Sequence, residues 1–410
     1  MVGGGPWEPG EFTDDTQMAV LVAESLLAVG GVDQADLEQR FKAWVASGPK
    51  DVGISTRAVL SAPGPSVDAA ARYFETNPHS AAGNGSLMRT IGAAVHFADQ
   101  GRSATMDAAR RISAVTHGYP ATGEGCAVYH DLVRAALDGD DPLEAIPDAL
   151  AAVRSDQRGL YEQMLHPDWT PDRTTLPNGT VWTALAQAVW AIRHASSFEE
   201  ALWRALDLGD DADTVAAITG GLAGARWGPG AIPSRWATYT HGTVIDTECR
   251  LADLQDLARR LVGAHTGPLA VDEPAITPAE VAPGLWLSNL PGARLTPETT
   301  AVISLCRTKG YFDHRPLRRE VFLIDNDANP ALPAIIDDLV RTIDAFTGDG
   351  TDVVVHCHGG RSRTGLALRA WLMHTEGLNE AAATAEAIRR WPHTATWTQS
   401  FTDALQQWET

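Results

Sequence analysis

The sequence predicts two domains: an all-α domain followed by an α/β domain with a central, mostly parallel sheet. A chain of 410 residues is longer than one hydrophobic core usually supports. Up to about residue 262, helical periodicity dominates, alanine is abundant and β-branched alternation is scarce. Beyond that point, short apolar runs alternate with helical stretches, as is typical of parallel α/β sheets. We therefore predict domains at 1–262 and 279–410, joined by a proline-containing linker at 263–278.

Composition and charge argue against several classes of protein. The chain is 44% hydrophobic and 20% charged, as expected for a folded globular protein, and its formal net charge is −20. Nucleic acids and anionic membranes are unexpected partners, because neutralising phosphates requires a basic surface. Four cysteines without paired spacing, no membrane-length apolar run and no signal-peptide pattern predict a reduced, cytoplasmic protein. We also expect a monomer.

Two acidic clusters, far apart in the sequence, each open a predicted helix of the first domain. They occur in GEFTDDTQMAV and in LGDDADTVAAITGG. Each contributes two carboxylates and a hydroxyl: Thr13, Asp14, Asp15, Asp211, Asp213 and Thr214. Either cluster alone could simply be good capping, because carboxylates in a first turn are stabilised by the helix dipole. Together they could converge on a pair of hard divalent cations, such as Mg²⁺ or Mn²⁺.

A glycine-rich turn and a histidine lie between the two acidic clusters. The turn Gly83–Gly85, in HSAAGNGSLMRT, could bring backbone amides close to a ligand, with Ser86 and Arg89 as further donors. THGYPATGEG places His117 in a loop before another predicted helix. Each signal is weak alone, since Gly-Asn-Gly occurs in many turns and a lone loop histidine is more often structural.

Taken together and in this order, these stretches resemble the ADP-ribosylglycohydrolase family, over roughly residues 5–262. The resemblance implies an all-helical domain that holds two Mg²⁺ (or Mn²⁺) ions and cleaves the N- or O-glycosidic bond between ADP-ribose and a protein side chain. The six acidic-cluster residues would be metal ligands, and the metals would orient the ribose hydroxyls and activate a water. The implied ADP-ribose site is formed by Gly83, Asn84, Gly85, Ser86, Met88, Arg89 and His117.

Two features of the sequence depart from the family pattern. The second acidic motif reads Gly-Asp-Asp-Ala-Asp-Thr at 209–214, where the family usually has Gly-Gly-Asp-Thr-Asp-Thr; the ligands are kept and one hydroxyl is lost. The family also begins with a Gly- and Ala-rich helix that carries an acidic residue near the metals, and this sequence starts after such a helix. Either the true start lies upstream, or the domain has lost this helix and part of its metal site. In the second case the domain could bind ADP-ribose without cleaving it, or be an inert helical scaffold.

The stretch TDVVVHCHGGRSRTGLALRAW, residues 351–371, predicts a strand, a tight loop and a helix. Successive backbone amides and the positive helix end form an anion cradle that also favours a thiolate, so Cys357 is a candidate nucleophile. The planar guanidinium of Arg363 can bind two phosphate oxygens. Thr364 can hydrogen-bond the sulfur and aid phosphate release, and His356 can fix the loop. A structural cysteine and a rhodanese-like sulfur-transfer loop are the alternatives.

The motif HCHGGRSRTG resembles the signature of the cysteine-dependent protein tyrosine and dual-specificity phosphatases. VAPGLWLSNLPGA at 281–293 and the run TAVISLC are similar to the opening hairpin and next strand of the dual-specificity members, so the resemblance covers about 279–408. It implies that Cys357 attacks phosphorus to give a phosphocysteine, which water then hydrolyses. The implied phosphate-binding loop comprises His358, Gly359, Gly360, Arg361, Ser362 and Arg363.

Such a reaction also needs a general acid to protonate the leaving oxygen. The phosphatase family places this aspartate after the strand that precedes the loop strand, and REVFLIDNDANPAL offers Asp325 and Asp327. Asp325 is preferred because it ends the apolar run directly, although either could be a surface turn residue. Cys306 ends another predicted strand and could form a protective disulfide with Cys357, but a plain buried thiol is expected.

The two resemblances together predict a bifunctional hydrolase that removes ADP-ribose and phosphate from modified proteins. Its expected partners are ADP-ribosylated and phosphorylated proteins or peptides. The alternative is a non-catalytic ADP-ribose-binding module that directs an active phosphatase to ADP-ribosylated targets.

Overall fold

The computed structural model describes residues 4–78, 82–264 and 273–408, and within them the chain forms two compact units. The first unit runs to Arg226 and resumes at Thr240. The second unit takes in Trp227–Tyr239 and the chain from residue 273 onward. The predicted boundaries at 262 and 279 stay predictions, and residues 265–272 of the predicted linker lie outside the described residues.

The first unit is helical, which confirms the predicted class of this region. Its helices up to residue 227 are α1 (Asp14–Val29), α2 (Gln34–Ala46), α3 (Ile54–Leu60), α4 (Ser66–Thr76), α5 (Ile91–Phe97), α6 (Gly101–Ala114), α7 (Pro120–Leu137), α8 (Ile146–Ala151), α9 (Ser155–Met164), α10 (Val181–Arg193), α11 (Phe198–Leu206) and α12 (Ala212–Trp227). Both predicted acidic clusters lie at helix starts, on α1 and α12. The left-handed Gly30 ends α1, as glycine commonly does after a helix.

A hairpin in the first unit was not predicted. After α13 (Ser234–Ala237), which belongs to the second unit, β1 (His241–Val244) pairs antiparallel with β2 (Thr247–Arg250), and α14 (Leu251–Leu261) follows. The turn between the strands places Ile245 at φ 57, a conformation that β-branched residues rarely adopt. The turn sequence contains neither Gly nor Asn, the residues that usually indicate a tight hairpin, and for this reason the all-α prediction missed the hairpin.

The second unit is built around a five-stranded sheet in the order β3-β4-β7-β5-β6. Its elements in chain order are β3 (Ala279–Ala282), β4 (Leu285–Asn289), α15 (Leu290–Ala293), β5 (Ala301–Ser304), β6 (Arg318–Glu320), α16 (Leu332–Gly348), β7 (Val353–Cys357), α17 (Ser362–Glu376), α18 (Glu380–Arg390) and α19 (Gln399–Gln407). All pairs are parallel except the β3–β4 hairpin, which confirms the predicted α/β class. Every residue of the central strand β7 is buried, as expected for a strand covered on both faces.

The segment Trp227–Tyr239 packs within the second unit, although it directly continues α12 of the first. The Ser234 N–H donates to Asp338 Oδ2 at 3.1 Å. The N–H of Glu320 in edge strand β6 donates to Thr238 Oγ1 at 2.9 Å. A Cβ on Gly230 would lie 2.8 Å from the Phe322 carbonyl oxygen and 2.6 Å from Ile335 Cδ1, so the close approach of the two backbones favours glycine here.

None of the helices in the described ranges is long and apolar enough to cross a membrane.

Candidate active sites

The first acidic cluster turns its carboxylates into the first unit at the start of α1. Asp14 and Asp15 are buried, and Thr13 occupies the N-cap position. The Thr13 hydroxyl donates to Asp15 Oδ2 at 2.7 Å instead of accepting from a backbone N–H. The other carboxylate oxygen, Asp15 Oδ1, is buried without a hydrogen-bond partner among the described residues. A buried oxygen in this state is costly unless something not held by the chain satisfies it.

The second acidic cluster is held in place by two asparagines. Asn84 Nδ2 donates to Asp211 Oδ2 at 2.7 Å and to the Asn178 carbonyl oxygen at 3.1 Å. The Asp211 N–H donates to Asn178 Oδ1 at 3.2 Å. Gly209 and Asp210 both have positive φ, and this left-handed turn aims the chain into α12. The predicted ADP-ribose turn and the predicted metal cluster are thus joined directly through Asn84.

The carboxylates of the two clusters influence one another. Burial raises the pKa of Asp14 to about 8, with the charges of Asp15, Asp51 and Asp213 adding to the effect. Burial also raises the pKa of Asp15 to about 7, helped by Asp213 and Asp211. The pKa of Asp213 is raised by burial, Asp211 and Asp51. Asp51 is a fifth carboxylate that the sequence reasoning missed, because PKDVGIS has no acidic pair to single it out.

The donor set of these clusters fits a hard divalent cation. As placed here, no three or more Asp, Glu, His or Cys side chains of the described residues lie close enough to hold a metal ion. The chemistry nevertheless suits Mg²⁺ or Mn²⁺, since every donor is an oxygen and the carboxylates repel one another without a cation between them. Asp15 Oδ1, buried without a donor, is the atom that such a cation would satisfy.

His117 lies directly against the glycine turn, in the loop between α6 and α7 where it was predicted. A Cβ on Gly83 would be 3.4 Å from His117 Nε2, and a Cβ on Gly85 would be 3.3 Å from its Cε1. Burial lowers the pKa of His117 to about 3, with the charge of Arg89 adding to the effect, so the ring is neutral. A side chain at either glycine would therefore crowd the His117 ring.

Three other predicted ADP-ribose residues follow the turn into the core. Ser86 is fully buried, and its hydroxyl accepts from Ser113 Oγ at 2.9 Å. Met88 is 9% exposed and Arg89 is 0% exposed. Arg89 was predicted to donate to a ligand, but its Nη2 donates to Thr116 Oγ1 at 2.8 Å beneath the turn. The backbone here enters a helical turn, which sends these side chains inward.

The cysteine loop of the second unit is formed as predicted between β7 and α17. Cys357 ends β7, and Thr364 Oγ1 donates to its Sγ at 3.2 Å. Gly360 has φ 65, and a Cβ there would lie 2.9 Å from the Ser288 carbonyl oxygen, so only glycine fits. Trp391 Nε1 donates to the Gly360 carbonyl oxygen at 2.7 Å and fixes the same turn from the other side.

His356 stabilises the base of this loop as a neutral ring. It is fully buried, and burial lowers its pKa to about 3. Its Nε2 lies 2.8 Å from Ser304 Oγ, and its Nδ1 lies 3.4 Å from the Cys357 carbonyl oxygen. The ring therefore connects the carboxyl ends of β5 and β7, in line with the predicted structural role.

Arg363 is fixed at one nitrogen beside the cysteine. Its Nη1 donates to the carbonyl oxygens of Leu305 at 3.0 Å and Leu323 at 3.2 Å. Leu305 follows β5, and Leu323 lies two residues before Asp325. No hydrogen bond of Nη2 to the described part of the chain is formed, which leaves that nitrogen for a phosphate oxygen. Cys306 is a free, buried thiol whose pKa is raised by burial, which confirms the expectation for that residue.

The two candidate general acids have different surroundings. Asp325 Oδ1 accepts from Thr398 Oγ1 at 2.9 Å and from Trp397 Nε1 at 3.3 Å. Thr398 Oγ1 also lies 3.2 Å from Ser362 Oγ, which ties Asp325 to the start of α17. Asp327 Oδ1 instead accepts from the Ser400 N–H at 3.0 Å, and this bond lowers the pKa of Asp327.

Thr398 and Trp397 were missed by sequence reasoning. They belong to no motif, and they lie 72 and 73 residues after Asp325 in the sequence, so only tertiary packing brings them to its carboxylate. The one local signal is the threonine directly before α19, at its N-cap position.

Two family models match different parts of the chain. Residues 1–269 match the family model described as ADP-ribosylglycohydrolase. Residues 300–410 match the model described as dual specificity phosphatase, catalytic domain. A solved structure of an ADP-ribosylglycohydrolase-related protein complex is 33% identical, with a TM-score of 0.52 over 64% of this chain and 85% of that chain.

Two curated bacterial relatives are similar to the helical part. The ADP-ribosylarginine hydrolase Tri1 of Pseudomonas putida (strain GB-1) is 32% identical over 249 residues, 58% of this chain and 64% of the relative. The ADP-ribosyl-[dinitrogen reductase] glycohydrolase of Rhodospirillum rubrum is 30% identical over 250 residues, 58% of this chain and 76% of the relative. The chain thus spans just under two thirds of the length of the Pseudomonas relative.

Proposed function

The chain belongs to the ADP-ribosylglycohydrolase family and carries a dual-specificity-phosphatase domain, and from that premise we propose that it removes both ADP-ribose and phosphate from modified proteins. The observation that carries the first activity is the 2.7 Å hydrogen bond between Asn84 and Asp211, which joins the glycine turn to the acidic clusters. The hydrogen bond from Thr364 to the Cys357 sulfur carries the second.

For ADP-ribose removal, the chain supplies a set of carboxylate and hydroxyl oxygen donors at the starts of α1 and α12, of which Asp14 and Asp15 are buried. Two Mg²⁺ or Mn²⁺ ions, when bound, would supply the Lewis-acid charge that activates a water. The ligands of these ions would be Thr13, Asp14, Asp15, Asp211, Asp213 and Thr214. Asn84 fixes the Asp211 carboxylate and so orients that donor set toward the turn. The His117 ring packs against Gly83 and Gly85, the turn at which ADP-ribose would bind. The names of the relatives make ADP-ribosylarginine the first linkage to test.

For phosphate removal, Cys357 Sγ attacks phosphorus, and the sulfur–phosphorus bond forms as the bond to the leaving oxygen breaks. Asp325 donates its proton to that oxygen. Asp325 then takes a proton from the water that hydrolyses the phosphocysteine, and phosphate leaves. The Thr364 hydroxyl, 3.2 Å from Sγ, stabilises the departing thiolate, and Arg363 Nη2 binds the phosphate oxygens.

A non-catalytic ADP-ribose-binding function for the helical unit is the second candidate. It is favoured by one observation: the acidic side chains of the described residues do not form a closed metal-binding group. In that case the helical unit would only direct the phosphatase to ADP-ribosylated targets.

The two candidates are separated by measuring binding and turnover on the same preparation of the full chain. Calorimetry with ADP-ribose and Mg²⁺ is run beside release of ADP-ribose from an ADP-ribosylarginine peptide. Binding with release supports the hydrolase, and binding without release supports the binding module. Neither binding nor release would reject both. Phosphatase activity is followed separately on an aryl phosphate, and its absence would reject that half of the proposal.

A further inference from the structure

Arg89 is a fully buried arginine that forms no ion pair with a carboxylate in the described ranges. Its Nη2 donates to Thr116 Oγ1 at 2.8 Å and to the Ile112 carbonyl oxygen at 3.3 Å, and its guanidinium carbon lies 4.5 Å from the Phe41 ring centroid. Burial lowers the pKa of Arg89 to about 10, which still leaves it charged at neutral pH. Burying an unpaired cation is costly, so its position needs a reason beyond packing.

The hydrogen bond from Arg89 restricts what the Thr116 hydroxyl can do. Arginine has only donors, so Thr116 Oγ1 must accept from it. The second neighbour of Oγ1 is His117 Nδ1, at 2.8 Å. The Thr116 hydroxyl proton has no other acceptor among the described residues, so it is donated to Nδ1. His117 Nδ1 is then an acceptor without a proton of its own.

The remaining proton of the neutral His117 ring is therefore on Nε2, and this edge faces the turn. A Cβ on Gly83 would lie 3.4 Å from Nε2, and one on Gly85 would lie 3.5 Å from it. Nε2 has no hydrogen-bond partner within the described ranges. The N–H groups of Gly85 and Ser86 likewise have no acceptor there. Three donors with nothing to bind, at a tight turn, fit an anionic oxygen.

We propose that Arg89 and Thr116 are positioning residues that hold His117 as the Nε2–H tautomer, so that it donates to a diphosphate oxygen of ADP-ribose bound at the Gly83–Gly85 turn. The ligand in this statement rests on the proposed function, whereas the tautomer rests on the hydrogen bonds of the chain alone. Arg89 acts through Thr116 and does not touch the ligand.

The chain contains an internal reference for the opposite tautomer. His130 is also fully buried, but its Nδ1 lies 3.2 Å from the Thr105 carbonyl oxygen. A carbonyl can only accept, so His130 Nδ1 carries the proton. His117 and His130 should therefore differ within one sample of the same protein.

The test is nitrogen-15 NMR of the full chain labelled at histidine, since a protonated and a bare ring nitrogen differ widely in chemical shift. The two rings are assigned from His117→Gln and His130→Gln. We expect a bare Nδ1 in His117 and a protonated Nδ1 in His130. A protonated Nδ1 in wild-type His117 would overturn the proposal, whatever the protein binds.

Variants of Thr116 then separate positioning from packing. Thr116→Val keeps the shape but removes the hydroxyl, so we expect the fixed tautomer to be lost and ADP-ribose affinity to fall about tenfold, as for one charged hydrogen bond. Thr116→Ser should restore both. Thr219→Val removes another buried hydroxyl, which donates to the Val215 carbonyl oxygen, and should change neither. An unchanged tautomer and affinity in Thr116→Val would contradict the proposal.

A probe without the diphosphate shows which part of the ligand is recognised. Thr116→Val should weaken binding of ADP as much as that of ADP-ribose, and leave binding of adenosine unchanged. An equal loss for adenosine would overturn the diphosphate assignment. If wild-type protein shows the Nε2–H tautomer but binds no ADP-ribose, the proposed function fails while the positioning by Arg89 and Thr116 stands.

Discussion

The two candidate sites of this chain are built in different ways. In the second unit, one continuous stretch from β7 into α17 supplies the cysteine, the loop and the threonine that contacts the sulfur. In the first unit, Asn84 and Asp211 meet across 127 residues of sequence. A site made by one strand–loop–helix is fixed by local geometry, whereas a site gathered from distant stretches depends on the packing of the whole unit. Single substitutions should therefore separate chemistry from folding more cleanly in the cysteine loop.

The largest expected effect is the loss of the nucleophile. Cys357→Ser should lower aryl phosphate hydrolysis by at least about 10³-fold, because serine is a far weaker nucleophile in a site without a base to activate it. The matched control is Cys249→Ser in β2 of the first unit, which should retain full phosphatase activity. If Cys357→Ser retained hydrolysis, Cys357 would not be the nucleophile and the cysteine loop would not be the phosphatase site.

Next in size is the general acid, for which the chain offers a matched pair. Asp325→Asn should lower kcat about 10²- to 10⁴-fold for a substrate with a poor leaving group, since no proton is then donated. Asp327→Asn should stay within a few fold of wild type, because Asp327 only accepts from the Ser400 N–H. The steady-state rates of both variants on an alkyl phosphate show which aspartate is the general acid. A larger loss in Asp327→Asn would assign that role to Asp327.

Removing divalent cations should affect the activity of the first unit and not that of the second. Chelation is expected to abolish ADP-ribose release, because the carboxylates at the starts of α1 and α12 then lack the cations that would activate a water, and to leave aryl phosphate hydrolysis unchanged. Both rates are measured on one sample before and after chelation, with Mg²⁺ added back as the control. If both activities fell together, the sites would not be independent.

The smallest effect concerns the backbone of the loop. Gly360→Ala should destabilise the second unit by about 1–3 kcal/mol, because a Cβ meets the Ser288 carbonyl at a positive φ. Gly350→Ala shares the positive φ but meets nothing within 4 Å, so it should cost less. The free energy of unfolding in denaturant compares the two, and equal costs would mean that the close approach adds nothing.

The same contrast explains how much the sequence could predict. The strand before Cys357, the helix after it and both acidic helix starts follow from local patterns, and all are present. Which way a side chain points depends on packing that no local pattern records. Arg89 was expected to donate to a ligand, but its fully buried guanidinium contacts the Phe41 ring and donates to Thr116 Oγ1.

Other contributions depend wholly on tertiary structure. Asp51 contributes because the fold brings its charge near Asp14 and Asp213, and Thr398 because the start of α19 lies beside Asp325. Neither residue belongs to a motif, so neither could be found from one sequence.

The segment Trp227–Tyr239 has a consequence for how such a chain could have arisen. A recombination event that joined two genes within the predicted linker 263–278 would bring in a phosphatase domain without Ser234 and Thr238, which bind Asp338 and the backbone of Glu320. If the part of the chain before or after this linker were exchanged alone, these two hydrogen bonds would lose one of their partners. Ser234, Thr238, Asp338 and Glu320 should therefore be inherited together, and a phosphatase domain transplanted from an unfused protein would need compensating changes at this edge.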